Sequence, residues 1–305
     1  MKKPHFWQEP IADLDESPND NKLIVVLSNP RSNSTVSVRI WEARHDDFVI
    51  MCEPGVLAYN KEMLTAQQRP ELTEKLFEWG MPTFNEVRKT ITQELQNHDV
   101  FIKDTVFAAK HYLNTELPGI SSPSSSFFFL LRDPADGLVS NYKVLPISMD
   151  ENLRDAWSYE HMFHLYQNIK QLNKNVHLIR SQDLINNPEE TVQMMCQKAK
   201  VEYKPSCLQW DPLIDKREIG TYCRFVPNWQ DTVALSSGID KNLSQSKAKR
   251  DANNAPTFEE IPPAHREGYI EFYNEQIRYY RQLERYWTQQ QNKLSADRAD
   301  SCVIL

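Results

Sequence analysis

The chain has 305 residues, 40% of them hydrophobic and 25% charged, with a formal net charge of −7. That length suits one large α/β domain or two small ones, and the acidic balance excludes non-specific nucleic-acid binding, which needs a broad basic surface. No apolar run reaches the roughly 20 residues that cross a membrane. Cys52, Cys196, Cys207, Cys223 and Cys302 show neither CxxC pairing nor His-Cys clustering, so no zinc site or disulfide framework is expected.

Residues 1–21 are polar and contain prolines, which reads as an N-terminal tail. Lys2 and Lys3 have no apolar core behind them, so the start is not a signal peptide and a reducing cytosol is the expected compartment. Short apolar runs then recur at 22–28, 48–52, 100–104, 126–132 and 176–181, as expected for strands covered on both faces. Helical patterns separate them at about 34–45, 70–79, 84–97, 105–116, 134–142 and 150–173. In "NNPEETVQMMCQKA", Asn187 can cap, Pro188 suits the first helical position, and Glu189 and Glu190 complement the macrodipole. Residues 236–257 read as a mobile polar loop, and an aromatic-rich helix runs from Pro262 to about Lys293. The expected fold class is α/β, a central parallel sheet with helices on both faces. Its domain spans 22–293, and 294–305 form a polar C-terminal tail.

In a parallel sheet, ligands sit beyond the carboxyl ends of the strands. After the first strand come Asn29, Pro30, Arg31, Ser32, Asn33, Ser34 and Thr35; Glu53 and Pro54 follow the second. The third strand ends at Lys103 and Asp104 and the fourth at Arg132 and Asp133, so two arginines, a lysine and three carboxylates converge on one edge.

The first of these loops has phosphate-binding chemistry without glycine, since Gly55 is the earliest glycine in the chain. Backbone N–H groups at a helix start near Ser34 can face an anion. Ser32, Ser34 and Thr35 add hydroxyls, and Arg31 adds a forked cation. Asn33 stands where glycine is expected, and asparagine tolerates left-handed backbone. The Walker pattern and a Mg²⁺-binding aspartate pair are absent, which disfavours ATP or GTP hydrolysis. A capped helix start with surface polar residues is the plainer alternative.

Three ordered segments resemble the sulfotransferase family, whose members use 3′-phosphoadenosine-5′-phosphosulfate (PAPS). "PRSNST" resembles the family's 5′-phosphosulfate loop, with Asn33 replacing glycine. "LLRDPADGLVSNY" resembles its 3′-phosphate motif, with Arg132 and Ser140 eight apart. "VHLIRSQDLINNPEETVQMMCQKAKVEYKPSCLQWDP" resembles the strand, turn and helix that follow. The resemblance covers about 22–240 and implies the P-loop-like sulfotransferase fold. It implies PAPS as co-substrate, held by Arg31, Ser32, Asn33, Ser34, Thr35, Arg132 and Ser140, with no metal and with a hydroxyl- or amine-bearing acceptor. Arg31 would also stabilise the transferring group. A general base is required. Glu53 is the first candidate, after a second strand expected to lie beside the first. Asp104 stands where cytosolic members carry histidine, and His111 is a third option. A basic loop at 215–229 would close over the nucleotide through Lys216, Arg217 or Arg224. Two other classes stay open: a non-catalytic binding protein on this scaffold, and a phosphoryl-transfer enzyme that would need Mg²⁺.

The last residues, Cys302-Val303-Ile304-Leu305, fit the prenylation signal of a cysteine, two aliphatics and leucine. They predict modification of Cys302 by a eukaryotic prenyltransferase and peripheral residence on a cytosolic membrane face. In a bacterial chain they would imply an effector modified inside a host. One isoprenoid anchors only reversibly, and Lys293 and Arg298 are offset in sequence by Asp297 and Asp300.

Overall fold

In a computed structural model of the protein, residues 20–44, 48–66, 82–213, 233, 235–239 and 247–302 are described. Five strands, β1 (Leu23–Ser28), β2 (Phe48–Cys52), β3 (Asp99–Thr105), β4 (Ser126–Leu131) and β5 (Val176–Arg180), form one parallel sheet in the order β2-β3-β1-β4-β5. All five match the strand runs in the sequence to within a residue. The expectation that β2 neighbours β1 is corrected, because β3 lies between them.

Alternation along each strand divides the core in two. Leu23, Val25, Leu27, Val100, Ile102, Phe127, Phe129 and Leu178 face one layer, while Ile24, Val26, Phe101, Phe128, Leu130 and Ile179 face the other. Against the first layer pack α3 (Phe84–Leu95), the short α4 (Val106–Ala109) and α7 (Tyr159–Leu172). Against the second pack α1 (Thr35–Glu42), α8 (Ser181–Asn186) and α9 (Pro188–Lys198). Both faces are thus covered, which is why the strands read as continuous apolar runs.

Further elements are α2 (Pro54–Ala66), α5 (Pro134–Val144), α6 (Glu151–Ala156) and α10 (Pro263–Cys302). The helix expected at 105–116 ends at Ala109. The chain turns back there so that the Tyr112 hydroxyl reaches Asp104 from a fully buried position. The helix expected at 150–173 is two helices. Ser158 caps the second by accepting from the His161 amide at 3.1 Å, and the Trp157 carbonyl at the break accepts from Asn29 Nδ2 at 3.2 Å. A Cβ on Gly137 would lie 2.6 Å from the buried Trp157 ring, so α5 needs its glycine there. The C-terminal helix continues past Lys293 to Cys302. No described helix is long and apolar enough to cross a membrane. The pattern expected at 70–79 and the residues 303–305 lie outside the described residues.

Candidate active site

The register places the carboxyl ends of β1, β3 and β4 side by side, with Ser28 opposite both Thr105 and Leu130. Between β1 and α1, Arg31 and Asn33 both hold φ of 59°. Left-handed backbone costs a residue with a Cβ about 1–2 kcal/mol, least for asparagine. These two turns bend the loop tightly enough for α1 to start at Thr35, with the Val36 amide closing on the Asn33 carbonyl at 3.2 Å. Ser34 occupies the cap position without a side-chain cap bond, so its hydroxyl is not committed to holding the helix start. The hydroxyls of Ser28, Ser32 and, across the strand boundary, Thr105 are buried with no hydrogen-bond partner among the described residues. An unsatisfied buried hydroxyl costs roughly 1–3 kcal/mol. Three of them around one loop favour a polar ligand there.

Arg132, just past β4, donates through Nη1 to the Arg31 carbonyl, and its own carbonyl accepts from the Tyr159 hydroxyl. This fixes the guanidinium against the loop. Burial lowers the pKa of both arginines from the ordinary value; Asp136 works against this at Arg132, while Arg31 adds to it. Asp133 caps α5 by accepting from the Ala135 and Asp136 amides at 2.9 and 3.4 Å. Ser140 lies two turns along this helix and is buried, and beside it Asn141 has a buried Nδ2 without a partner among the described residues. A residue not anticipated from the sequence also comes here. Arg250 Nη2 lies 3.0 Å from Asp133 Oδ2 and 3.7 Å from Asp136 Oδ1, and Asp136 also accepts from the Ala248 amide at 3.0 Å. Its only sequence signal is the basic cluster "KAKR" in an otherwise polar stretch. Lys216, Arg217 and Arg224 lie outside the described residues.

Glu53 follows β2 with φ of 55°, and its amide donates to the Lys103 carbonyl at 2.6 Å. That conformation turns its side chain back over β3, where Oε1 pairs with the ammonium of Lys103. The lysine side chain is 3% exposed and the glutamate 13%. Burial works to lower the Lys103 pKa, but Glu53, Cys52 and Asp104 outweigh it and hold the group above its ordinary range. The pairing uses Oε1, and no hydrogen bond to Glu53 Oε2 occurs among the described residues.

Asp104 is enclosed. Its Oδ2 accepts from the Gly55 amide at 2.7 Å and the Tyr112 hydroxyl at 2.8 Å, and Oδ1 accepts from the Thr105 amide at 2.7 Å. Burial and the adjacent Glu53 push its carboxyl up to about 7 against those three donors. It thereby holds the first turn of α2, and a Cβ on Gly55 would lie 2.6 Å from Oδ2. His111 stacks on Phe84 with centroids 4.8 Å apart. Burial, then Lys110, lower its pKa. Nearby, Asp155 receives Lys110 at 2.8 Å and the Tyr59 hydroxyl at 3.1 Å, and His161 Nδ1 lies 3.3 Å from it. The described residues contain no grouping of three or more His, Cys, Asp or Glu side chains able to hold a metal ion.

No protein-family model matches the chain. Among curated proteins, "Branched-chain-amino-acid aminotransferase-like protein 2" of Arabidopsis thaliana is 25% identical over 231 residues, covering 72% of this chain and 36% of that protein. The chain therefore spans about a third of that relative's length. Among solved structures, the sulfotransferase domain of the curacin biosynthetic pathway superimposes with a TM-score of 0.42 at 18% identity, covering 85% of this chain and 98% of that domain. The sulfotransferase domain of the Synechococcus PCC 7002 olefin synthase gives 0.45 at 16% identity, with 88% and 97% covered. A mouse sulfotransferase complexed with PAP gives 0.42 at 12%, with 88% and 90% covered.

Proposed function

We propose that the protein is a PAPS-dependent sulfotransferase. The observation that carries this is the junction of two anion-binding elements through one contact, Arg132 to the carbonyl of Arg31. A ligand with phosphate at two ends, one on the β1–α1 loop and one on α5, spans that junction, and PAPS has this form. The residues fit such a ligand. The buried hydroxyls of Ser28, Ser32 and Thr105 and the amide of Asn141 have donors to give, and Arg31 and Arg132 bring two close positive charges.

Bound PAPS supplies a sulfuryl group on a phosphate leaving group, which passes to the acceptor oxygen or nitrogen. On this reading Arg31, Ser32, Ser34, Thr35 and the α1 amides balance charge at the 5′ end. Arg132, Ser140, Asn141 and Arg250 hold the 3′-phosphate, which separates PAPS from ATP. Glu53 receives the acceptor's proton at Oε2, while Lys103, paired with Oε1, fixes the orientation of the carboxylate. Asp104, fully buried and with three donors on its carboxylate, positions α2. The geometry thus favours Glu53 over Asp104 as base.

Calorimetric titration with PAP, AMP and ATP tests the reading. Preference for PAP is expected, and equal affinity for AMP would overturn it. PAP binding without product in any acceptor screen would favour the non-catalytic alternative instead.

A further inference from the structure

At the opposite edge of the sheet, where the strands begin, a cavity of about 450 Å³ lies between α7, α9, β5 and α10. Helix α10 descends antiparallel to β5. Glu284 meets Arg180 at 3.1 Å, Gln290 accepts from the Leu178 amide at 3.1 Å, and Lys293 arrives at the cavity beside Val176. Lys170 comes from the last turn of α7, Lys174 from just beyond its cap residue Asn173, and Lys198 from the last residue of α9. Four lysines from three separate stretches of the chain thus share one cavity.

Among the described residues no carboxylate lines this cavity, and Lys170, Lys174 and Lys198 form no ion pair. In a chain of net charge −7 such a gathering is a local field rather than a general one. The cavity also has an aromatic wall. Tyr166 and Tyr286 stack with centroids 5.9 Å apart at 25°, and the Lys170 ammonium lies over both rings while donating to the Tyr166 hydroxyl at 3.1 Å. Behind them His177 is held by Asn175 at 2.6 Å. Burial, with Lys198 adding to it, lowers its pKa to about 4, so this wall stays neutral at cellular pH.

A phosphate monoester carries a charge of about −1.5 to −2 near neutral pH. Two such groups balance four ammonium groups, and the cavity lies within the range of small-ligand sites, about 300–1,000 Å³. We propose that this cavity binds a compact ring bearing two phosphate monoesters, with lysines on the phosphates and the tyrosine pair against the ring. That chemistry has two sources: a free sugar bisphosphate, or the headgroup of a bisphosphorylated inositol phospholipid. The site is independent of the sulfotransferase reading, since it occupies the other edge of the sheet.

The experiment titrates the full chain with soluble inositol bisphosphate. In parallel it measures co-sedimentation with phosphatidylcholine vesicles containing phosphatidylinositol bisphosphate, against vesicles of equal charge made with phosphatidylserine. Saturable binding to either bisphosphate probe supports the site. Binding of the soluble probe without sedimentation identifies the free ligand. Sedimentation specific to the inositol lipid identifies the headgroup. The double variant Lys174→Glu/Lys293→Glu should weaken binding about tenfold or more. Lys89→Glu, the same kind of charge change on an exposed residue of α3, should leave it within about twofold. Matched melting curves and circular dichroism spectra show that the double variant is folded. The proposal is overturned if neither probe binds, if phosphatidylserine vesicles bind equally well and the soluble probe not at all, or if Lys89→Glu loses as much as the double variant.

Discussion

Replacing Glu53 with glutamine separates proton transfer from nucleotide binding. Glutamine keeps the length of the side chain and a carbonyl that can accept from Lys103, but it cannot take a proton at neutral pH. A positioned general base contributes about 10²–10⁴-fold, so turnover with labelled PAPS should fall by that factor while PAP affinity stays within about twofold. The substitution also leaves the Lys103 ammonium, 3% exposed, without a charged partner. Breaking a buried pair costs about 3–5 kcal/mol, and the retained carbonyl acceptor should keep the loss near the lower end. Adding Lys103→Met removes that orphaned charge. The double variant should therefore recover much of the melting temperature without recovering turnover. Near-normal turnover in Glu53→Gln would refute the role of Glu53, and its recovery in the double variant would show that the defect was structural. Collapse in Asp104→Asn beside an active Glu53→Gln would move the role to Asp104.

Arg132→Ala should weaken PAP binding by about 1.5–3 kcal/mol, the scale of a charge-assisted contact, and change AMP binding far less, as read by calorimetry. Asp104, raised to about 7 in the fold, binds more protons folded than unfolded between the ordinary carboxyl range and that value. Its contribution to stability is complete at low pH and is lost as pH rises towards 7, by a ceiling on the order of 4 kcal/mol. Asp104→Asn should flatten this part of the stability–pH profile in urea melts, and an unchanged slope would count against the buried-carboxyl argument. Gly55→Ala forces a methyl against Asp104 Oδ2 and the Tyr112 ring, each 2.6 Å away, and should cost about 1–3 kcal/mol by thermal melting.

The strands were legible because each is buried on both faces and so reads as an unbroken apolar run. Sheet order was not: the position of β3 between β1 and β2 arises from pairing across distant segments, and local pattern does not encode it. Helix α2 went unread because it opens with Pro54-Gly55, which suggests a turn. Yet proline suits a first helical position, and the glycine is there to admit Asp104 and Tyr112. At the site, Arg31, Glu53 and Arg132 could be named because residues just past parallel strands gather at one edge. The enclosure of Asp104 could not, since it depends on Tyr112 folding back from a helix that stops early. Arg250 and the orphaned Thr105 hydroxyl were missed for the same reason, being defined by three-dimensional neighbours.

Arg31, Asn33 and Glu53 all hold left-handed backbone, and none of the chain's seven glycines stands at these positions. Glycine would relieve the conformational cost at Arg31 and, less, at Asn33, whereas at Glu53 the loss of the Lys103 pair outweighs that relief. Stability and function can be set against each other in a mutational library. Selection for resistance to heat or protease should enrich glycine at positions 31 and 33 but not at 53, and selection for sulfuryl transfer should remove it. Positions where the two selections disagree would mark the side chains retained for chemistry, with no substrate or bound structure needed to find them.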